Sequence, residues 1–563
     1  MIAVILCWFL ITLVFFSFGD IFINLYSRIL KREESYSIFE TFLTGLCVTG
    51  AIVCITSIRL PSDIKITVAL SVVSILYLAV VKRKEIVNKA QAVVKSLSVL
   101  QVILVCLAGF LFMLFLLVPP QFPDVYCYHI QNILWNEEYH VVPGLANLEE
   151  RFGFNSNLFL LCSTFGLRPL FGEFVFGINA LCMAFMTAYI IRQASRQRLF
   201  LTVLFLAVFV LFFMEYKTHI GCSSSDLLPN LLIVYLLFTL LTDRQNLKRK
   251  SILFWLIPVF CITLKVSTVC ICLVPLYLLV LLIKEKDRKT AAFVCIAALL
   301  VIVPWLVRNV IVSGYLIHPC PWVDLFAFDW KLPAEYAMES KRYIKSFAIS
   351  YDAMYGLGDH ILNMSLAGKV QKWLGERHPL DICIVVAGLI SPMLMLASLY
   401  RKKGLIKEDP VLATVWFVGL TGFVFWLAMA PAVRFGYGFI AIAFSIPVYF
   451  LFKDMKNTRK FLPANVFLIA VTVYFGTLSV RYFLVVKAPG VSCREIFHKP
   501  QSIGTRLDKY PVTMEPFRMN GIEFAKPLDG ERYGYALPCG NNYIKNPEMR
   551  GNTLQEGFRK KKY

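Results

Sequence analysis

Charge is scarce in this 563-residue chain: Asp, Glu, Lys and Arg make up 17% of it, and 58% is hydrophobic. A soluble globular protein carries about a quarter charged residues, so a soluble enzyme is excluded. Metal and nucleotide signatures are missing as well. No CxxC, HExxH, paired Cys/His or EF-hand spacing occurs, which leaves a dedicated metal site or a dithiol centre without ligands, and the expectation is no metal and no cofactor. No Walker A sequence and no GxGxxG after a strand is present, which argues against nucleotide-driven chemistry. No basic stretch precedes the apolar run that starts at Met1 and no small-residue cleavage site follows it, so that run reads as a retained helix. Internal repeats and matched broken helices are lacking too, against an inverted-repeat transporter.

What is present is apolar sequence gathered into long runs, with a mean hydropathy of +0.66. Runs of roughly 17–22 residues cross about 30 Å of hydrocarbon as helices. The runs predict an all-α polytopic membrane protein with about fourteen transmembrane helices, at 2–24, 38–58, 64–81, 97–118, 171–191, 199–213, 226–242, 252–264, 267–283, 291–309, 381–399, 411–429, 436–452 and 463–480. The net charge of +21 would suit nucleic acid in a soluble protein. Here about 27 of the basic residues fall in the short connections 28–32, 82–95, 192–198, 244–250, 284–289, 401–407 and 453–460. That is the positive-inside pattern, so the charge reports topology and membrane lipids, and no nucleic-acid partner is expected. The alternate connections include the long segments 119–170, 310–380 and 481–563, all expected outside the cytoplasm. The expected organisation is N-terminal helices at 1–96, a membrane domain at 97–480 with outer loops 119–170 and 310–380, and an extracytoplasmic tail at 481–563. Most of the 16 cysteines lie in apolar runs; a disulfide among Cys127, Cys222, Cys320, Cys493 and Cys539 is permitted by the compartment.

Ionisable residues at the membrane boundary are costly and default to functional candidates. Asp124, just past the fourth run, can accept a proton from an incoming hydroxyl or simply cap a helix. His129 and Gln131 follow it, and Asn155 lies in the turn-rich stretch 151–157, all possible substrate contacts. Lys265, Arg308 and Arg434 are three cations at the face that is otherwise poor in them. Arg offers a bidentate fork and Lys a point charge to a lipid-linked phosphate; the alternative is snorkelling to headgroups. Asp226 opens a span as a cap or a site residue, and His318 follows Arg308 as a structural or a substrate-binding imidazole. Segments 333–348 and 366–375 read as amphipathic helices, either packed or lying on the membrane surface.

Asp124 after an early span, a long first outer segment, the hairpin carrying Lys265, and Pro304-Trp305 followed by Arg308-Asn309 together resemble the GT-C glycosyltransferase superfamily. More narrowly, Asp124 with Tyr128-His129, Gln131 and Val142-Pro143-Gly144-Leu145-Ala146-Asn147 looks like a bacterial inner-membrane branch related to it. The resemblance covers roughly residues 97–450. It implies a multi-pass protein of the bacterial inner membrane with an outward-facing site, moving a sugar from a polyprenyl-phosphate-linked donor to a glycan or lipid acceptor. It carries the role of base onto Asp124 and lipid-phosphate binding onto Arg308 and Lys265. Many members show two adjacent acids where this chain has Pro123-Asp124-Val125, so Glu137 and Glu138 stand as alternative acids. The rival readings are a surface-polysaccharide polymerase or ligase, and a lipid or glycan transporter.

Overall fold

A computed structural model of the chain describes residues 1–32, 34–82, 95–194, 196–454, 461–487, 496, 513–528, 535–540 and 547–561. It is 74% helical, and among the described residues ten helices are long and apolar enough to cross a membrane. In chain order the helices of nine or more residues are α1 (Ile2–Leu30), α2 (Ile38–Thr56), α3 (Ile64–Tyr77), α4 (Val99–Leu116), α5 (Ile130–Glu138), α6 (Asn157–Phe165), α7 (Gly177–Ala194), α8 (Leu199–Tyr216), α9 (Leu227–Thr242), α10 (Ser251–Leu264), α11 (Leu273–Lys284), α12 (Arg288–Ser313), α13 (Ala334–Ile349), α14 (Leu366–Glu376), α15 (Pro379–Arg401), α16 (Pro410–Met429), α17 (Val433–Phe452) and α18 (Phe461–Val486). The expected spans 64–81, 226–242 and 252–264 fall on shorter apolar helices, and 171–191 falls on α7, which is not among the ten.

Local chemistry sets the helix ends. Ser37 opens α2 and Ser98 opens α4 with capping boxes closed by Glu40 and Gln101, each satisfying two otherwise orphaned backbone donors. Glu40 also accepts Lys250 Nζ at 2.6 and 2.7 Å, tying α2 to the start of α10. Lipid tails offer no hydrophobic drive for helix association, so close backbone approach counts. At the α1–α2 crossing a Cβ on Gly45 would stand 1.5 Å from Phe15 O, and one on Gly19 would stand 1.9 Å from Thr41 O. No larger residue fits this contact.

The tail adds short strands to this helical fold. Strands β1 (Met514–Met519) and β2 (Ile522–Pro527) form one antiparallel hairpin, β3 (Pro547–Met549) and β4 (Phe558–Lys560) a second pair. The first turn is Asn520-Gly521, both at positive φ, +46° and +81°. That is the backbone a two-residue hairpin requires and the dipeptide that most readily adopts it. The tail packs on the first long segment. Phe558 is buried with Trp135, Val141, Leu145, Phe152 and Phe524, and its N–H donates to Pro143 O at 2.9 Å. Arg550 pairs with Asp329 at 2.8 Å and Lys560 with Glu335 at 2.8 Å, so the second long segment is held as well. Cys127, Cys222, Cys320 and Cys539 are free thiols; Cys493 lies outside the described residues.

Candidate functional site

Six helix ends converge on the face opposite the basic connections, called here the loop face. Asp124 follows α4, Glu215 closes α8, Asp226 precedes α9, Lys265 follows α10, Asp381 lies in the first turn of α15 and Arg434 in the first turn of α17. Neither Asp124 nor Asp226 makes a side-chain cap hydrogen bond to the helix it precedes, so the carboxylates are directed elsewhere. Asp226 is the deeper one. Its side chain is 5% exposed; Oδ1 meets Lys265 Nζ and Oδ2 lies 3.4 Å from Arg434 Nε. Asp124 is the shallower one, 34% exposed, with Oδ2 at 3.8 Å from Arg434 Nη2. That distance is beyond a direct hydrogen bond.

Aromatic rings and backbone contacts hold the cations. Arg434 lies 5.0 Å from the Phe122 ring, 5.0 Å from Phe435 and 5.9 Å from Phe347 of α13, and Lys265 Nζ lies 3.7 Å from Phe435. Cation–π contacts of this kind restrain the charge without neutralising it. The Arg434 carbonyl accepts Tyr216 Oη at 2.7 Å and Asn230 Nδ2 at 3.1 Å, and Asn230 Oδ1 accepts the Gly438 N–H at 2.8 Å. The start of α17 is thereby fixed to α8 and α9. Asn179 of α7 donates to the carbonyls of His219, Cys222 and Ser224, ordering the loop that delivers Asp226.

Two imidazoles back the acids. His129 Nδ1 is 3.2 Å from Ser223 Oγ and His219 Nδ1 is 2.6 Å from Ser224 Oγ, with the Phe122 ring 4.2 Å from His219. Burial first, then Lys265 and Arg434, holds His129 well below the usual histidine range, so it is neutral near pH 7. Burial, followed by Asp124, pushes the neighbouring Tyr128 phenol up. Glu215 and Asp381 meet each other within the electrostatic reach of Arg434 and Arg377, widening the cluster to four carboxyl groups and three cations.

Asp124, His129, Asp226, Lys265 and Arg434 are therefore brought together, and the other candidates are placed elsewhere. Gln131 donates to Ala536 O of the tail at 2.7 Å. Arg308 sits apart from that cluster, in a hydrogen-bonded hub of its own. It is buried, and its guanidinium donates to Asn155 Oδ1 at 3.1 Å, Ser57 Oγ at 2.7 Å, Ser57 O at 3.5 Å and Asn136 Oδ1 at 2.8 Å, sharing no partner with Lys265 or Arg434. Asn155 belongs to that hub, donating to Trp305 O at 3.1 Å and Asn309 Oδ1 at 3.0 Å. His318 packs on Phe154, and burial, opposed by the Glu150 backbone, lowers it to about 4. The alternative acids are both engaged by Arg168, Glu137 at 2.5 Å and Glu138 in direct contact. Among the described residues no group of three His, Cys, Asp or Glu is placed to hold a metal. Glu215, His219, Asp381, Arg377, Tyr216 and Asn230 escaped the sequence reading. The acid in Phe213-Met-Glu-Tyr216, ending a long apolar run, is the one signal that pointed to them.

A profile of the family described as "Domain of unknown function (DUF8201)" matches residues 1–441. No curated protein and no solved structure matches the chain.

Proposed function

The chain belongs to the DUF8201 family, and from the loop-face cluster we propose that it is an integral-membrane glycosyltransferase that moves a sugar from a polyprenyl-phosphate donor to an acceptor hydroxyl. The observation that carries this reading is the pairing of a solvent-reachable acid with a cation held from behind: Asp124 faces Arg434, which Asp226 braces from the buried side. Asp124 takes the acceptor's proton, the freed oxygen attacks the anomeric carbon in one inverting displacement, and the bond to the lipid phosphate breaks with its electrons leaving on the phosphate. Arg434 and Lys265 meet the charge that develops on that phosphate, the kind of preorganised electrostatic help that most enzymes rely on. Asp226 orients both cations without blocking the guanidinium edge that faces Asp124.

In this reading the fourteen expected spans all cross, in a GT-C-like arrangement. The short helices α3, α9 and α10 cross as well, and the loop face, opposite the basic connections, lies outside the inner membrane of a bacterium. The test is mass spectrometry of polyprenyl-phosphate-sugar pools and surface glycans in cells carrying wild type, a deletion, and Asp124→Asn. Loss of one sugar from a glycan together with donor-lipid accumulation in both mutants is the expected result. A glycan cut to a single repeat would mean polymerisation, and unchanged pools would remove the transferase reading.

A further inference from the structure

Helix α14 (Leu366–Glu376) has no buried residue, whereas α13 beside it buries Ala337, Ser340, Ser346, Ala348 and Ile349. At about 100° per residue, Leu366, Val370 and Leu374 form one stripe along α14. Gly368, Lys372 and Gly375 lie on the opposite side, where with Gln371 of the flank, His360 and Met364 they line an open groove of about 570 Å³. Leu366 is 79% exposed. The polar side is tied to the preceding turn by Lys372–Asp352 at 2.7 Å and Ser350–Glu376 at 2.6 Å, and the apolar stripe is left uncovered by the described residues.

The chain says what that cover is. Only Arg377 and His378 separate α14 from α15, whose Val386, Leu389, Met393 and Leu396 are exposed along an apolar span. Trp373 of α14 donates Nε1–H to Pro431 O at 2.8 Å, in the short turn between α16 and α17. Both attachments set α14 at the level where the spans leave the bilayer. Just before it, the turn Tyr351–Leu357 exposes Met354, Leu357 and an 81% exposed Tyr355, the aliphatic and aromatic residues that an interfacial layer takes up.

We propose that α14 and the turn Tyr351–Leu357 lie in the loop-face interface of the bilayer, with Leu366, Val370 and Leu374 among the acyl chains and the Gly368–Gly375 side facing water. The lipid surface is then a structural partner of the site, because Trp373 holds the turn that leads to Arg434. This assignment is independent of the transferase reading. The test places photoreactive benzoylphenylalanine at Val370 and, separately, at Gln371 in the full-length chain. The protein is reconstituted in nanodiscs of phosphatidylcholine and phosphatidylglycerol, irradiated, and analysed by peptide mass. Phospholipid adducts at Val370 at least tenfold above Gln371 are expected. Equal labelling at the two positions, a crosslinked dimer from Val370, or no lipid adduct there while Met393 is labelled would each overturn the proposal. Amide exchange of the unmodified chain over 366–376 gives a second readout: slowing at least tenfold below the free-peptide rate is expected, and exchange at that rate overturns it.

Discussion

Asp226→Asn and Asp124→Asn should separate stability from chemistry, because the two acids share Arg434 from opposite sides. Asp226 is buried and contacts two cations; the amide keeps the shape and removes the charge. Breaking a buried ion pair by deleting one partner costs about 3–5 kcal/mol. Lys265 can relieve part of that by shedding its proton, whereas Arg434 stays charged and keeps Asp124 at 3.8 Å as its remaining ion pair, with Glu215 in electrostatic reach. A loss of about 3 kcal/mol corresponds to a factor on the order of 100 in the folded population, and to a similar factor in unfolding rate if the pair is broken in the transition state. Asp124 is one-third exposed and its pairing is worth about 0–1 kcal/mol, less than tenfold. The assay is the half-life of monodisperse protein at a fixed elevated temperature in detergent, read by size-exclusion chromatography, beside sugar transfer per folded molecule. Asp226→Asn should inactivate far faster than wild type, and Asp124→Asn should survive heating while losing transfer. If the two variants decay at the same rate, Asp226 is not the buried counter-charge described here.

Other consequences are sharp enough to measure. Arg308→Lys gives up most of four hydrogen bonds to neutral oxygens and should cost about 2–3 kcal/mol with transfer per folded molecule unchanged, whereas Arg434→Lys should do the reverse; heat survival beside activity reads both. His318 titrates at about 4 in the folded chain and near 6.5 when unfolded. The unfolded state therefore binds the extra proton first, and stability contributed by the neutral ring is lost as pH falls from about 6.5 to 4. Unfolding of wild type and His318→Gln compared between pH 7 and pH 4 should show a relative loss of about 3 kcal/mol for wild type, and parallel curves would contradict the burial argument. Burial and Glu149 push the Glu150 carboxyl up, so Glu150→Gln should cost less than Glu149→Gln, which removes the carboxylate 2.8 Å from Arg151, in the same unfolding assay. Gly144 sits at φ +64° with Phe558 O 2.1 Å from where a Cβ would be; Gly144→Ala should make the tail sensitive to limited proteolysis, and a tail as resistant as wild type would show that the contact is dispensable.

The membrane-embedded character was legible because twenty-odd apolar residues in a row have few other uses, and the basic connections told which helix ends share a face. Asp124, Asp226, Lys265 and Arg434 could be singled out by their placement at apolar run ends, but not their pairing, which depends on how α4, α9, α10 and α17 cross. Arg308 shows the limit of that reasoning. It has the same sequence context as Lys265, yet α12 points it at Ser57, Asn136 and Asn155, partners scattered over 250 residues that no local pattern links. Glu215 was hidden for the opposite reason, as one acid at the tail of a run long enough to be taken for plain span. The tail strands were announced by Asn520-Gly521, a turn signal passed over because the flanking segments are short and polar.

The seating of Phe558 on Pro143 and Trp135 has a consequence for biogenesis. Strand β4 completes a core begun more than 400 residues earlier. At synthesis rates of about 5–20 residues per second, roughly 20–80 s pass between the emergence of the two halves. Throughout that interval Trp135, Val141 and Phe152 are without their final cover. A ribosome stalled or a chain cut short anywhere between α18 and β4 thus yields a membrane part with its spans in place and a bare apolar patch on the loop face, a state that quality-control proteases and chaperones can recognise.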